Sequence, residues 1–409
     1  MELFKAEPQK LFSFEFVCLC FVSFFAFCNM SVFYSFFSYL GRIGIPPEWR
    51  GFLLGLEPMT AFALRLAIIP MLHLGNAAAA MLIALLMTMA ALCSYTWAVT
   101  IPSLIVLRIF HGAAFVLLVS ASMALAVHLI PRERSAQGFG ILSITALVPY
   151  AVMPLITEAL LPYVKNETAI YAGVTVLAVP GIILLGVLRQ RVRVLLGEVH
   201  ASLMRRPGLD ELRRNLRHPG VALILAVNLL LYLSYATVFY FVKGYFQAVG
   251  AGNAGYFFTI STLVMIAVRV LGGALLDQVG KVKTMTWFAL FLVLWFLAFS
   301  QARSTLAFTL LAAGYGLGIG IVLPLLNAAM FLASPAPLRG LNTNLCLFMM
   351  DAGFFLSPYA GGMLLAGGWS CATLFYICAG FLALAVCLLL ALGKQGIDTP
   401  AAALLEVKR

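Results

Sequence analysis

Charge is scarce in this sequence. Only 10% of its 409 residues are Asp, Glu, Lys or Arg, and the mean hydropathy is +1.04, whereas soluble domains carry roughly 25% charged residues. That shortage excludes a soluble globular chain. Other absences narrow the class further. The alternating ten-residue strands of a membrane β-barrel are missing, and no Walker phosphate loop is present, so ATP does not drive the protein. No nucleophile, base and metal ligands group together, which argues against an enzyme. The eight cysteines all fall in apolar segments, where they read as small buried hydrophobes. Cys18-x-Cys20 lacks the second ligand pair that zinc requires, so neither metal nor cofactor is expected.

What remains is 63% hydrophobic sequence, divided into about twelve apolar segments, each near the ~20 residues a helix needs to cross a bilayer. They lie at about 13 to 39, 51 to 71, 77 to 98, 102 to 129, 138 to 162, 169 to 188, 220 to 245, 254 to 276, 284 to 300, 304 to 332, 341 to 366 and 371 to 393. The first is too long for a leader's apolar core and no A-x-A site follows it, so it reads as a retained helix. The expected fold class is therefore an all-α membrane protein of twelve transmembrane helices.

The net charge of +11 follows topology rather than a nucleic-acid partner. With both termini placed on one side, 18 of the 26 Lys and Arg fall in the segments on that side and five in the loops opposite. By the positive-inside rule, both termini lie in the cytoplasm and the protein is multi-pass in a plasma (inner) membrane. Arg65, Arg108 and Arg269 remain, and they fall within helices.

The halves of the chain repeat. "GFLLGLEPMTAFALRL" from Gly51 matches "GYFFTISTLVMIAVRV" from Gly255, placing Arg65 on Arg269 at an offset of 204, and the same offset carries Gly112 to Gly316 and Pro154 to Pro358. "SVFY" from Ser31 resembles "TVFY" from Thr237. Four landmarks in one order predict two six-helix bundles, 1–188 and 220–393, related by a pseudo-twofold axis. A linker at 189–219 with eight basic and three acidic residues joins them, and a tail at 394–409 follows. The linker reads either as an amphipathic helix on anionic headgroups or as a topology anchor.

Two parallel six-helix halves joined by a basic loop fit the logic of secondary transporters, and over nearly its whole length the chain resembles the major facilitator superfamily. "GGALLDQVGK" is similar to the family's loop between helices 8 and 9, through Gly273, Asp277, Gly280 and Lys281; in the family this loop latches one state. The equivalent loop between helices 2 and 3, "PMLHLGNA", keeps Gly75 but has His73 near the acidic position. "LRIFHGAAF" resembles the helix-4 pattern through Arg108, His111 and Gly112, and "DAGFFLSPYAGG" resembles a helix-11 pattern through Asp351, Gly353, Ser357, Pro358 and Gly361. The G-P-x-x-G-G signature of antiporters is absent from helix 5.

Ionised groups at mid-bilayer cost ~2.5 to 3.5 kcal/mol on insertion scales, so they face a partner or a wet cavity. The resemblance implies that helix 11 lies against helix 2, which places Asp351 to meet Arg65 across the interface between the halves, as a proton switch or a static strut. Glu57 and Arg108 lie at similar depth and can pair; Glu57 and His111 are further proton-site candidates. Arg65 and Arg269 either hold one central anion together or serve as gate elements. The resemblance places Asn29, Tyr34, Asn228, Tyr232, Tyr235, Tyr315 and Asn327 on the cavity-lining helices 1, 7 and 10.

The expectation is thus a secondary transporter of a small organic solute, coupled to protons, embedded in the lipid bilayer and functional as a monomer. Two alternatives stand beside it: an importer of carboxylates or inorganic anions that uses Arg65 and Arg269 directly, and a transporter-fold membrane sensor without flux.

Overall fold

The computed structural model describes residues 10–196, 208–251 and 254–394. Part of the linker and nearly all of the tail lie outside these described residues. Among them every regular element is helical. The described residues form twelve long helices in chain order: α1 Phe14–Met30, α2 Pro47–Ile68, α3 Leu74–Ser94, α4 Ile101–Leu129, α5 Ser135–Leu160, α6 Ala178–Leu196, α7 Pro219–Val249, α8 Gly255–Gln278, α9 Lys281–Gln301, α10 Thr305–Ala333, α11 Arg339–Ala366 and α12 Cys371–Gly393. Eleven of the spans are long and apolar enough to cross a membrane; α11, which carries Asn342, Thr343, Asn344 and Asp351, is not among them. A backbone in hydrocarbon must satisfy its own polar groups, and helices do so within each segment.

Two boundaries differ from the hydropathy reading. The first apolar run breaks into α1, a 3-10 turn at Ser31–Ser35 and a short helix Phe36–Arg42. The sixth segment starts as the helix Glu167–Val174, passes a 3-10 turn at Thr175–Leu177 and continues as α6 to Leu196, beyond the apolar run. Arg191 near its end pairs with Glu15 at 3.2 Å, holding that carboxylate at the linker side of α1.

The internal repeat is written in the helix starts. Thr100 and Ser304, 204 residues apart, cap α4 and α10 by accepting from Ser103 N and Ala307 N. Asn166 and Ser370, at the same offset, cap the helices beginning at Glu167 and Cys371. Each side chain satisfies one of the amide groups a helix start leaves orphaned.

Packing repeats as well. In one bundle α2 lies on α4, α3 on α4, and α1 on α5 and α6; in the other, α8 lies on α10, α9 on α10, and α7 on α11 and α12. Gly112 sets the first contact: a Cβ there would stand 2.7 Å from the Glu57 carbonyl oxygen. Its mate Gly316 is pressed in the same way against the Ser261 carbonyl, and Ser261 is the mate of Glu57. Small residues allow this approach of helix backbones where apolar burial gives little drive for association. Gly112→Val therefore overpacks the α2–α4 contact and is expected to cost about 1–3 kcal/mol, read as a lowered unfolding temperature in detergent. Gly186→Ala, where nothing lies within 4 Å, should leave that temperature unchanged.

Between the bundles, α11 packs on α2 and α4, and α5 packs on α8 and α10. These interfaces are also mates, and they position the site.

Candidate functional site

The two arginines of the repeat have different surroundings. Arg65, fully buried, forms a two-pronged ion pair with Asp351 of α11 through Nε and Nη2, and its Nη1 donates to Ser120 Oγ at 2.9 Å. The fork of the guanidinium matches the carboxylate edge. Asn344 of α11 reinforces this contact by donating to the Ser120 carbonyl at 3.1 Å. Beside it Phe62 of α2 stacks on Phe348 and Phe355 of α11, with ring centroids at 4.8 and 5.6 Å. Gly353 lets α11 reach this position. A Cβ there would stand 2.7 Å from the Tyr232 backbone, and Thr237 and Ser357 share a hydrogen bond of 2.8 Å in the same α7–α11 seam.

Arg269 is 4% exposed and pairs with no carboxylate among the described residues. Its Nη1 donates to Ser143 Oγ at 2.9 Å, and its Nε has no hydrogen-bond partner. Tyr232 and Tyr235 of α7 lie close enough to interact with its charge. The repeat explains the difference. Moving both partners of Arg65 by 204 residues turns Asp351 into Leu147 and Ser120 into Pro324, both apolar.

At the linker end, Asp277 accepts from the backbone amides of Ala136 at 2.7 Å and Gln137 at 3.0 Å, so a carboxylate from α8 caps the start of α5. The favourable field of the helix start adds to these hydrogen bonds. Gly273 permits the approach: its Cβ would lie 3.1 Å from Gln137 Cγ. Gly280 is the residue before α9, and Lys281 Nζ donates back to the Asp277 carbonyl at 3.4 Å. His73, the repeat mate of Asp277, instead caps its own helix α3, its backbone N–H donating to Asn76 Oδ1 at 2.9 Å. Asp277→Asn weakens a charge-assisted cap worth ~1.5 to 3 kcal/mol. The expected result is faster hydrogen–deuterium exchange over the first turns of α5, with exchange in α3 unchanged.

A third cluster lies toward the opposite side of the first bundle. Arg108 pairs with Glu57 at 2.7 Å and donates to the carbonyls of Leu53 at 3.0 Å and Leu54 at 2.8 Å. Pro58 has no N–H to offer the Leu54 carbonyl four residues earlier, so Arg108 supplies the donor that α2 lacks there. Its guanidinium sits 4.8 Å above the Phe36 ring. His111 is fully buried, 4.0 Å from Glu57 and 3.4 Å from the Tyr95 hydroxyl.

Of the predicted cavity residues, Asn29 is buried and donates to the Phe25 carbonyl at 2.9 Å. Asn228 and Tyr315 are buried, with Asn228 Oδ1 and the Tyr315 hydroxyl unpartnered. Tyr232, Tyr235 and Asn327 are half-buried. Tyr34 lies in the Ser31–Ser35 turn, and its side chain is outside the described residues. Sequence reasoning missed Tyr150 of α5, which is 52% exposed yet stands near Glu57 of one bundle and Tyr235 of the other. Its hydroxyl is thus within charge range of groups from both bundles.

The Major Facilitator Superfamily family model matches residues 19–343. The chain belongs to this superfamily and is a transporter, not an enzyme. Among solved structures, the human organic anion transporter MFSD10 (TETRAN) superposes with a TM-score of 0.67 at 17% identity, covering 94% of this chain and 100% of that one. The proton:xylose symporter XylE gives 0.72 at 14% identity over 92% and 94%. A bacterial homologue of the iron transporter ferroportin in its outward-facing state gives 0.71 at 14% identity over 93% and 99%. At these identities the likeness shows the fold alone. No curated protein sequence matches the chain at a significant level.

Proposed function

We propose that this secondary transporter moves a small organic anion by alternating access, coupled to protons, with Arg269 as the seat of the anion and Asp351 as the proton site. The observation that carries the reading is the inequality of the two repeat-related arginines. Arg65 is neutralised by Asp351, whereas Arg269 keeps a buried positive charge without a carboxylate. A cation held in a low-dielectric interior is costly unless a partner arrives, and an anionic solute is such a partner. The human organic anion transporter of the same fold is consistent with this substrate class.

The inter-bundle contacts through Asp277, Arg65 and Phe62 all lie in the half of the interface nearest the linker. With the termini and linker cytoplasmic in an inner membrane, this arrangement is the outward-facing state, and anion and proton enter together. Protonation of Asp351 removes the charge that holds Arg65, and binding at Arg269 removes the charge that holds the site open. The bundles, 1–188 and 220–393, then rock about the site while the linker at 189–219 keeps them in one chain. Both halves of the site come from a single chain, so the unit of function is a monomer. The Glu57–Arg108–His111 cluster serves as a strut around Pro58.

The test is a thermal-shift panel on the purified chain with carboxylates, nitrate, sugars, amino acids and cationic compounds, since a ligand stabilises the fold it occupies. Stabilisation confined to organic anions is expected. A response to sugars or cations alone would dismiss the anion reading. Binding without uptake in vesicles would leave a sensor.

A further inference from the structure

Tyr232, Tyr235 and Phe239 follow one another at spacings of three and four and so share one face of α7. Phe354 of α11 lies across that face, with ring centroids 6.5, 5.8 and 5.7 Å from the three. Tyr235 is further stacked on Tyr315 of α10 at 6.2 Å and 19°. Tyr232 and Tyr235 of this face lie within range of the Arg269 charge. The face is not closed: Phe239 is 51% exposed although aromatic neighbours flank it on α8 and α11. Three buried polar atoms on α8, α10 and α7 have no hydrogen-bond partner, namely Arg269 Nε, the hydroxyl of Tyr315 that stacks on Tyr235, and Asn228 Oδ1. A buried polar atom without a hydrogen bond is costly and calls for an explanation.

A site with one fixed cation, two unused donors in Arg269 Nε and the Tyr315 hydroxyl, and a wall of aromatic rings selects for negative charge at one end of a ligand and a flat apolar body at the other. Ring faces and edges attract other rings beyond the gain from area alone. We infer that the transported anion is an aromatic carboxylate, its carboxylate on Arg269 and its ring against the Tyr232, Tyr235, Phe239 and Phe354 wall. This inference rests on the anion reading above and deepens it by naming the body that accompanies the charge.

Isothermal titration of the purified full chain with benzoate, cyclohexanecarboxylate, acetate and benzamide separates the two claims. Benzoate and cyclohexanecarboxylate match in charge and nearly in size, and differ in aromaticity. Benzoate is expected to bind about fivefold or more tightly than cyclohexanecarboxylate, the factor an aromatic pair of ~1 kcal/mol supplies. Tyr235→Leu should bring that ratio close to one while cyclohexanecarboxylate still binds, which also shows that the variant is folded; Tyr235→Phe should preserve the ratio. Arg269→Gln should weaken all three carboxylates and leave benzamide unaffected. Equal affinity for benzoate and cyclohexanecarboxylate in the wild-type chain would overturn the aromatic inference and leave the anion reading standing. Carboxylate binding that is absent, or indifferent to Arg269→Gln, would overturn both.

Discussion

Asp351→Asn is expected to abolish accumulation of solute under a proton gradient, by more than tenfold, while exchange of solute across the membrane continues. Asparagine resembles the protonated acid in shape and charge, so the variant is held in the state that a bound proton would create. In the structure Asp351 is one of the ties between α2 and α11, and its loss leaves Arg65 buried without a counter-charge. Breaking such a pair costs about 3–5 kcal/mol. Because the pair bridges the bundles, that cost falls on the conformation closed at the linker side. Each 1.4 kcal/mol changes a population ratio about tenfold, so the variant should spend its time open on the linker side. Vesicle uptake with and without an inside-alkaline gradient, beside counterflow without a gradient, separates coupling from movement. Accumulation equal to wild type would make Asp351 a strut.

The second large effect concerns Arg269. Arg269→Gln should weaken anion binding about tenfold to a hundredfold, the range of a hydrogen bond to a charged group at ~1.5 to 3 kcal/mol. Arg269→Lys should recover part of it, because the charge stays while the planar fork is lost. The sign of the stability change is informative. Arg269 pairs with no carboxylate among the described residues, and its Nε is unpartnered, so removing it relieves a buried charge. The unfolding temperature of Arg269→Gln should hold or rise even as binding is lost, the trade between stability and activity common at functional sites. A fall in unfolding temperature with normal affinity would return Arg269 to a structural role.

Much of this was legible in the sequence, and the limits are physical. Hydropathy marked the spans because a bilayer demands helices of nearly fixed length. The offset of 204 reappears in the structure at Gly112 and Gly316 and in the caps at Thr100 and Ser304. The same offset already separates the two arginines, because the mates of Asp351 and Ser120 are Leu147 and Pro324. Arg108 had a signal too, since Pro58 within α2 leaves a carbonyl in need of a donor. Tyr150 had none. Which face of α5 looks between the bundles depends on the rotation of packed helices, and an apolar all-round helix carries little periodicity to reveal it. His73 stands where the repeat would put a mate of Asp277, and its capping of α3 through Asn76 depends on a local backbone geometry that the repeat does not carry.

The proposed function divides labour between two arginines at equivalent positions, Arg65 as the lock between the bundles and Arg269 as the proposed seat of the anion. The most direct test sets Arg65→Gln beside Arg269→Gln and measures the unfolding temperature of each with and without benzoate. Arg65→Gln should unfold at a lower temperature, with Asp351 left unpaired, and should still be stabilised by benzoate. Arg269→Gln should unfold at or above the wild-type temperature and lose the response to benzoate. Equal responses of the two variants, in stability and in ligand effect, would contradict the division.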